Sequence, residues 1–415
     1  MKKTLVILLI ICIALSATFA VGCSDSKKQN ATVDANWSDD FDFLGKVYDY
    51  VKEGYISSVN VDELDRAAAQ AIIESLDPFS YITDNSIPLV DSASIGIFLS
   101  ISKYNEYRIT YVVEGMPASQ EIDGFKLSRG DEIYAVNGER VEGLSVSGFD
   151  ELTRGGVGTA LTLTVKRNGE IVGDYTYEKT HDTMPKAYYI GDLGDTGYIK
   201  LTSFSDGKTE DGKVVSTNDI FDECVEKFKE EGKKSLILDL RDNPGGSSLI
   251  LAHIASYFVP LKEEKQDILC LKYEKSGQEV YVSVTEDNYL DVPVVVLVNG
   301  NSASAAEALT GAIRAFNPKG TIVGENTYGK GVFQSSPKKI SDKTIDSDKT
   351  FESSYYVYLV AGYYYIIDEK AEGGRYNIHN NPIVPDVVVK PNEKIASLEE
   401  DAEIVTALEI LAGKE

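Results

Sequence analysis

The apolar positions of this chain fall into two rhythms. Over residues 39–76 they recur at helical spacing, with Phe43, Val47, Tyr50 and Val51 on one face and Ala67, Ala71, Ile72 and Leu76 on another, so the pattern predicts helices. From about 92 to 180, short runs separated by glycine turns predict a small β-rich domain. After Lys186 the rhythm alternates. A strand over 197–204 leads to a helix through Phe221, Cys224, Val225 and Phe228, then to an apolar run over 235–240. A second such run, VVVLV from Val294, feeds a helix carrying Ala305, Leu309, Ala312, Ile313 and Phe316. Strands alternating with helices predict an α/β sheet whose site lies at strand ends. The segment from Tyr355 to Lys390 is rich in tyrosine, of which the clustered Tyr363, Tyr364 and Tyr365 read as strand residues, and a closing helix is expected over 398–411.

With 415 residues and 43% hydrophobic content, two or three domains with sizeable cores are expected. The chain opens Met1-Lys2-Lys3 and runs apolar to Val21, the pattern of an export signal. Its end, Ala20-Val21-Gly22-Cys23, resembles a bacterial lipoprotein box, which implies cleavage and lipidation of Cys23. The run is also long enough to stay as an anchor. Either outcome tethers the body to a bacterial cell membrane, facing outside the cytoplasm. Residues 23–38 are polar and read as a flexible tether. Of four cysteines, Cys12 lies in the signal and Cys23 in the box, leaving Cys224 and Cys270 either paired or as two buried thiols. The net charge of -25 disfavours nucleic acid and anionic lipid surfaces as partners.

The chemistry concentrates between Val294 and Gln334. Ser304 opens a helix, where unpaired N–H groups carry partial positive charge and can receive an oxyanion. Ser304-Ala-Ala-Glu307 is also a capping box, so the serine reads as a cap or as a nucleophile. Lys330, bracketed by Gly329 and Gly331, adds a base: desolvation lowers an amine's affinity for its proton, at a cost of about 4 kcal/mol to bring it near neutral pH. Two near misses are set aside. GENTYGKG lacks the Ser/Thr of a phosphate-binding P-loop and is followed by strand, and Gly300-Asn-Ser302-Ala-Ser304 lacks the last glycine of a nucleophile elbow. His181, His253 and His379 occupy no recognisable catalytic setting, His253 alone following a motif closely.

N-S-A-S-A-A-E followed by T-Y-G-K-G-x-x-Q resembles the signature of the C-terminal processing peptidases, or tail-specific proteases. The resemblance implies Ser304 as nucleophile, Lys330 as base and Gln334 as the side chain that orients it, with Ser302 as the fallback nucleophile. The run D-L-R-x-N-P-G-G, from Asp239 to Gly246, resembles the same family and implies an oxyanion hole made by Gly245 or Gly246 with Ala305. Ile95-Gly96-Ile97-Phe98, with the motifs around Met116, Gly130 and Val136, resembles a PDZ domain, whose loop would bind the C-terminus of a peptide. LDPFS, residues 76–80, resembles the turn closing the family's helical region.

The fold class expected is α/β: a crotonase-like core over 183–395 with an inserted PDZ domain over 86–182, an N-terminal helical region over 39–85 and a C-terminal helix over 396–415, behind a signal at 1–22. The family implies no metal, no cofactor, and a possible homodimer. The function expected is a membrane-tethered serine endopeptidase acting on exported proteins with apolar C-termini, with activity rising with pH. The alternative is a catalytically idle PDZ lipoprotein.

Overall fold

The computed structural model describes residues 42–57, 60–84, 93–101, 106–208, 213–346, 349–392, 398 and 400–413. The signal, Cys12, Cys23 and the tether lie outside the described residues. The chain forms two compact units, one drawn from 87–333 and 361–415, the other including 16–86 and 334–360. Residues 334–360, which sequence reading places in the core, therefore cluster with the N-terminal helical segment.

The larger unit is built on a six-stranded sheet whose spatial order follows the chain: β1 (Ala187–Leu193), β2 (Thr196–Leu201), β3 (Ser235–Asp239), β4 (Val294–Val298), β5 (Gly320–Gly324) and β6 (Val387–Val388). Only β1 pairs antiparallel; β2 to β6 are parallel, with Leu238 opposite Val296 and Leu297 opposite Val323. Every residue of β3 and β4 is buried, as expected of parallel strands covered on both sides. Alternate side chains serve opposite faces. Leu236, Leu238, Val294 and Val296 join the helices α1 (Thr217–Glu230), α2 (Ser248–Ala255) and α3 (Ala305–Phe316), while Ile237, Val295 and Leu297 meet Ile404 and Ala407 of α4 (Ala402–Leu411). The predicted stripe on α1 is buried at Phe221, Cys224, Val225 and Phe228, and its cap is Ser216, whose Oγ accepts the Asp219 N–H. Cys224 and Cys270 are buried free thiols, and burial pushes Cys224 up to about 12.

A second sheet joins Glu279–Val284, Gln266–Tyr273, Val360–Ile367 and Val332–Gln334 in that order. The β-rich segment expected over 92–180 is a sheet ordered Ile97–Ile101, Tyr107–Val112, Glu132–Val136, Ala160–Arg167, Glu170–Glu178. It has its own core, to which Leu161, Leu163 and Val165 contribute alternately along one strand. This segment meets the core sheet through Phe98 and Tyr111, whose rings lie 4.8 and 4.3 Å from that of Tyr188 on β1, and through Arg129, which grips Asp192 at 2.8 and 3.1 Å.

In the smaller unit, helices Asp42–Gly54 and Val61–Glu74 precede a strand, Tyr81–Asp84, that pairs with the hairpin Lys338–Asp346/Lys349–Tyr358. The turn between helix and strand is held by Asp77, whose carboxylate accepts the N–H groups of Phe79 and Ser80 and the Ser80 hydroxyl, each at 2.7 Å. Helix Asp42–Gly54 buries none of its residues, and Phe43 and Tyr50 stand about four-fifths exposed, at 80% and 79%.

Candidate active site

Strands β3 and β4 are neighbours, and the turns leaving their C-terminal ends are stitched together. Asp242 donates its N–H to Asn299 Oδ1 at 3.0 Å and accepts from the side chains of Asn299 and Asn301, at 3.0 and 2.8 Å. The Ala303 N–H donates to Asn243 O at 2.9 Å. Ser302 is fully buried within this stitching: its hydroxyl donates to Leu240 O at 2.8 Å and accepts the Asn299 N–H at 2.9 Å. Ser302 is thus a structural hydroxyl.

Ser304 follows with φ 58° and ψ −117°, far from the extended backbone of an ordinary N-cap. For a non-glycine residue this conformation costs about 1–3 kcal/mol and persists only where surroundings impose it. Glu307, three residues into α3, imposes it by accepting the Ser304 N–H at 2.9 Å, its half of the predicted capping box. The same carboxylate reaches much further. Its Oε2 also accepts the Lys330 N–H at 2.9 Å, and its Oε1 accepts the Gly329 N–H and the Thr327 hydroxyl, both at 2.7 Å. Burial pushes the Glu307 carboxyl above its ordinary range, opposed by these four donors. With two donors on each oxygen no position remains for a carboxylic proton, so the geometry is that of a carboxylate. One buried anion therefore brings the backbones of Ser304 and Lys330 within two hydrogen-bond lengths of each other.

The glycines around Lys330 have separate tasks. Gly329 has φ 86°, and a Cβ on Gly331 would lie 2.4 Å from the His379 nitrogen. Close packing against the turn at 377–381 is continued by the Asn380 N–H, which donates to Gly329 O at 3.0 Å. Behind the lysine stands Tyr364, 4% exposed, whose N–H donates to Gly331 O at 3.0 Å and whose hydroxyl donates to Lys330 O. Burial first, and then the neighbouring Glu307 charge, hold that hydroxyl well above the ordinary tyrosine range, so it stays neutral.

The glycine pair after Pro244 approaches the serine closely. A Cβ on Gly245 would lie 2.7 Å from both Ala305 N and Ser304 Cβ. The Gly245 N–H is already committed to Asn243 Oδ1 at 2.8 Å. Among the described residues the N–H groups of Gly246 and Ala305 donate to no protein atom. Of the two glycines left open by sequence, Gly246 is therefore the one with a donor to offer.

The other candidates have partners of their own. Gln334 belongs to the smaller unit, where its Nε2 donates to Phe79 O at 3.1 Å. In the loop 95–98, Ile95 is buried, Gly96 has φ 86° and gives its N–H to Ser94 Oγ at 3.0 Å, and Ile97 and Phe98 enter the strand opposite Val112 and Tyr111. His253 has both ring nitrogens on carboxylates, Asp222 at 2.7 Å and Glu286 at 3.1 Å. Burial lowers its pKa, but the two carboxylates outweigh it and the net shift is upward. A histidine so occupied has no lone pair for a serine proton. Among the described residues no cluster of three or more His, Cys, Asp or Glu has metal-binding geometry, and no helix is long and apolar enough to cross a membrane.

Sequence reading named Ser304, Lys330 and Glu307, the glutamate only as a cap, quoted Asn243 only as part of a motif, and gave no role here to Thr327 or Tyr364. Nothing local marks Thr327 or Tyr364, because each reaches the site through tertiary packing of a strand or loop. Asn243 sat inside the D-L-R-x-N-P-G-G run and was legible as part of that motif.

Residues 195–389 match the model of peptidase family S41. Over 314 residues the chain is 30% identical to the carboxy-terminal processing protease CtpA of Bacillus subtilis, covering 74% of this chain and 63% of that protein. It is 26% identical over 346 residues to a CtpA-like protein of Staphylococcus saprophyticus described as a serine protease, covering 81% and 66%. The chain thus spans about three-fifths to two-thirds of the length of these relatives, at 63% and 66%. In fold it is similar to a crystal structure assigned to the S41 proteases from Bacteroides fragilis, with a TM-score of 0.58 and 19% identity over 83% of this chain and 90% of that one. The segment 195–389 thus matches peptidase family S41, and over 74% of its length the chain is similar to a carboxy-terminal processing protease.

Proposed function

We propose that this protein is a serine endopeptidase that cleaves exported proteins near their C-termini through Ser304 and Lys330. The observation that carries the reading is the Glu307 carboxylate, which receives the N–H groups of both residues on one oxygen. In acylation, Ser304 Oγ bonds to the peptide carbonyl carbon as its proton passes to neutral Lys330. The carbonyl oxygen takes the negative charge against the N–H groups of Gly246 and Ala305. When the tetrahedral intermediate collapses, the C–N bond breaks and Lys330 returns the proton to the leaving amine. Water then enters by the same route in reverse and releases the acyl group. None of these steps calls on a metal or cofactor.

The reading extends to the segment over 86–182 as a PDZ domain that selects or gates substrates by their C-termini, with Ile95 to Phe98 as its carboxylate loop, on a crotonase-like core. It extends as well to tethering through a lipid on Cys23, outside the cytoplasm, and to pairing of two copies through the exposed Phe43 and Tyr50 face. Digestion of an unfolded protein with an apolar C-terminal tail tests the core of it. Wild type is expected to cut, while Ser304→Ala and Lys330→Ala lose at least about 10⁴-fold. Cutting by Ser304→Ala at the wild-type rate, or retention of the intact tail by wild type, would turn the reading towards another nucleophile or towards a binding protein.

A further inference from the structure

The chain carries a net charge of -25, yet three guanidinium groups surround one cavity of about 420 Å³ in the β-rich segment. Arg108, Arg129 and Arg167 line it, with Asp131 as the one carboxylate among them and Leu398, ahead of α4, on the wall. Two of the arginines are answered. Arg167 grips Asp131 through Nε and Nη2 at 2.6 and 2.8 Å, and its guanidinium lies 4.4 Å from the centre of the Phe125 ring. Arg129 holds Asp192 of β1 at 2.8 and 3.1 Å. Arg108 is not answered in this way. Its Nη1 donates to Gly130 O at 3.3 Å, its Nε is buried without an acceptor, and among the described residues it forms no ion pair. The carboxylate opposite it across the strands, that of Glu132, is engaged by Lys166 at 3.2 Å. A guanidinium drawn partly out of water with a single carbonyl for its donors lacks a counter-anion. Among the described residues Arg108 Nη2 and Arg167 Nη1 likewise donate to no protein atom.

We propose that this cavity binds a small polyanion, a molecule bearing two or more carboxylate or phosphate groups, with Arg108 as its main anchor. Guanidinium forks match either oxyanion, and Arg167, already fixed by Asp131 and Phe125, has little freedom left to lose on binding. The volume lies within the range of about 300–1,000 Å³ usual for small-molecule sites, which leaves room for more than one oxyanion group. The occupant touches the β-rich segment, whose Arg129 reaches the core sheet, and also Leu398, so binding fastens parts of one unit together. The site uses neither Ser304 nor Lys330 and does not rest on the Ser-Lys reading.

The test is calorimetric titration of the full-length protein with citrate and, separately, with pyrophosphate, at constant ionic strength. At least one is expected to bind at a single site with a Kd of about 1 mM or tighter, and the tighter of the two tells carboxylate from phosphate recognition. Arg108→Gln is expected to weaken that binding about 10-fold or more. Without anion, its melting temperature and its rate of peptide cleavage should match wild type, because Arg108 gives up only one hydrogen bond to the protein. Arg140→Gln removes an arginine that pairs with Glu142 outside the lining, and it should bind the anion as wild type does. Absence of saturable heat with both anions overturns the proposal. Equal weakening in the two variants overturns it as well, since that is the mark of overall charge rather than of a site.

Discussion

Two glutamates, Glu307 and Glu403, are buried on opposite faces of the same sheet, and they are satisfied in opposite ways. Glu307 on α3 takes four neutral donors, three of them backbone N–H groups from the turns that hold Ser304 and Lys330. Glu403 on α4 takes one strong charged donor, Arg241 Nη1 at 2.5 Å, and among the described residues its Oε1 has no partner. Arg241 in turn serves Asp401 at 2.8 Å and Asp239 at 2.6 Å, with Lys200 also on Asp239 at 3.0 Å. Burial raises both carboxyls, Glu403 to about 7 despite Arg241. The contrast teaches what each anion is for. Backbone donors converging on one carboxylate fix the shape of two loops, whereas a guanidinium shared by three carboxylates fastens one helix to the sheet. Loss of the first should appear in catalysis as well as in stability, and loss of the second in stability and its pH dependence.

The most damaging way to probe the contrast is Glu307→Ala. It strands buried N–H groups at Ser304, Gly329 and Lys330, each costing about 1–3 kcal/mol, so urea unfolding should show a loss of at least about 3 kcal/mol. Proteolysis should fall more than about 100-fold even per folded molecule, because the turn at Ser304 is no longer imposed. Near-wild-type turnover in this variant would remove the distinction between the two glutamates. Next in size is Arg241→Met, which leaves Asp239 buried without its guanidinium. A loss of about 3–5 kcal/mol is expected in the same unfolding experiment, with turnover per folded molecule retained.

Glu403→Gln sharpens the difference through pH. A carboxyl whose folded pKa lies near 7, above its unfolded value of 4.5, contributes stability present in full below about 4.5 and lost as pH rises through about 7. Wild-type stability should therefore drop across that window by up to about 3 kcal/mol from this group, and the glutamine variant should show a flatter curve in pH-dependent unfolding. The smallest effect belongs to Ser302→Ala, at about 1–2 kcal/mol for one buried hydroxyl, with turnover per folded molecule kept. Loss of turnover there would reinstate Ser302 as a nucleophile candidate.

The frame around Glu307 is legible in the sequence, whereas nothing there marks Glu403. The largely apolar run at 235–240 and the all-apolar run at 294–298 announced buried strands, and the spacing from Ala305 to Phe316 announced the helix that presents Ser304. The S-x-x-E spacing put Glu307 one turn from the serine. It could not show that the same carboxylate reaches Gly329 and Lys330, because that contact spans 22 and 23 residues and depends on how β5 returns to the sheet. Tyr364 was read as one of three strand tyrosines, since alternation names two faces without saying which one meets a site. Residues 334–360 looked like a continuation of the core, but their partners are set by pairing between strands 81–84 and 349–358, which local pattern does not encode.

The central claim is that Ser304 is the nucleophile, and the most direct measurement is the mass of the covalent adduct. Full-length protein treated with a fluorophosphonate, digested and mapped by tandem mass spectrometry should carry one modification, on Ser304, and Lys330→Ala should carry almost none. A modification on Ser302 or another residue, or peptide cleavage that continues in protein with Ser304 fully modified, would contradict the account.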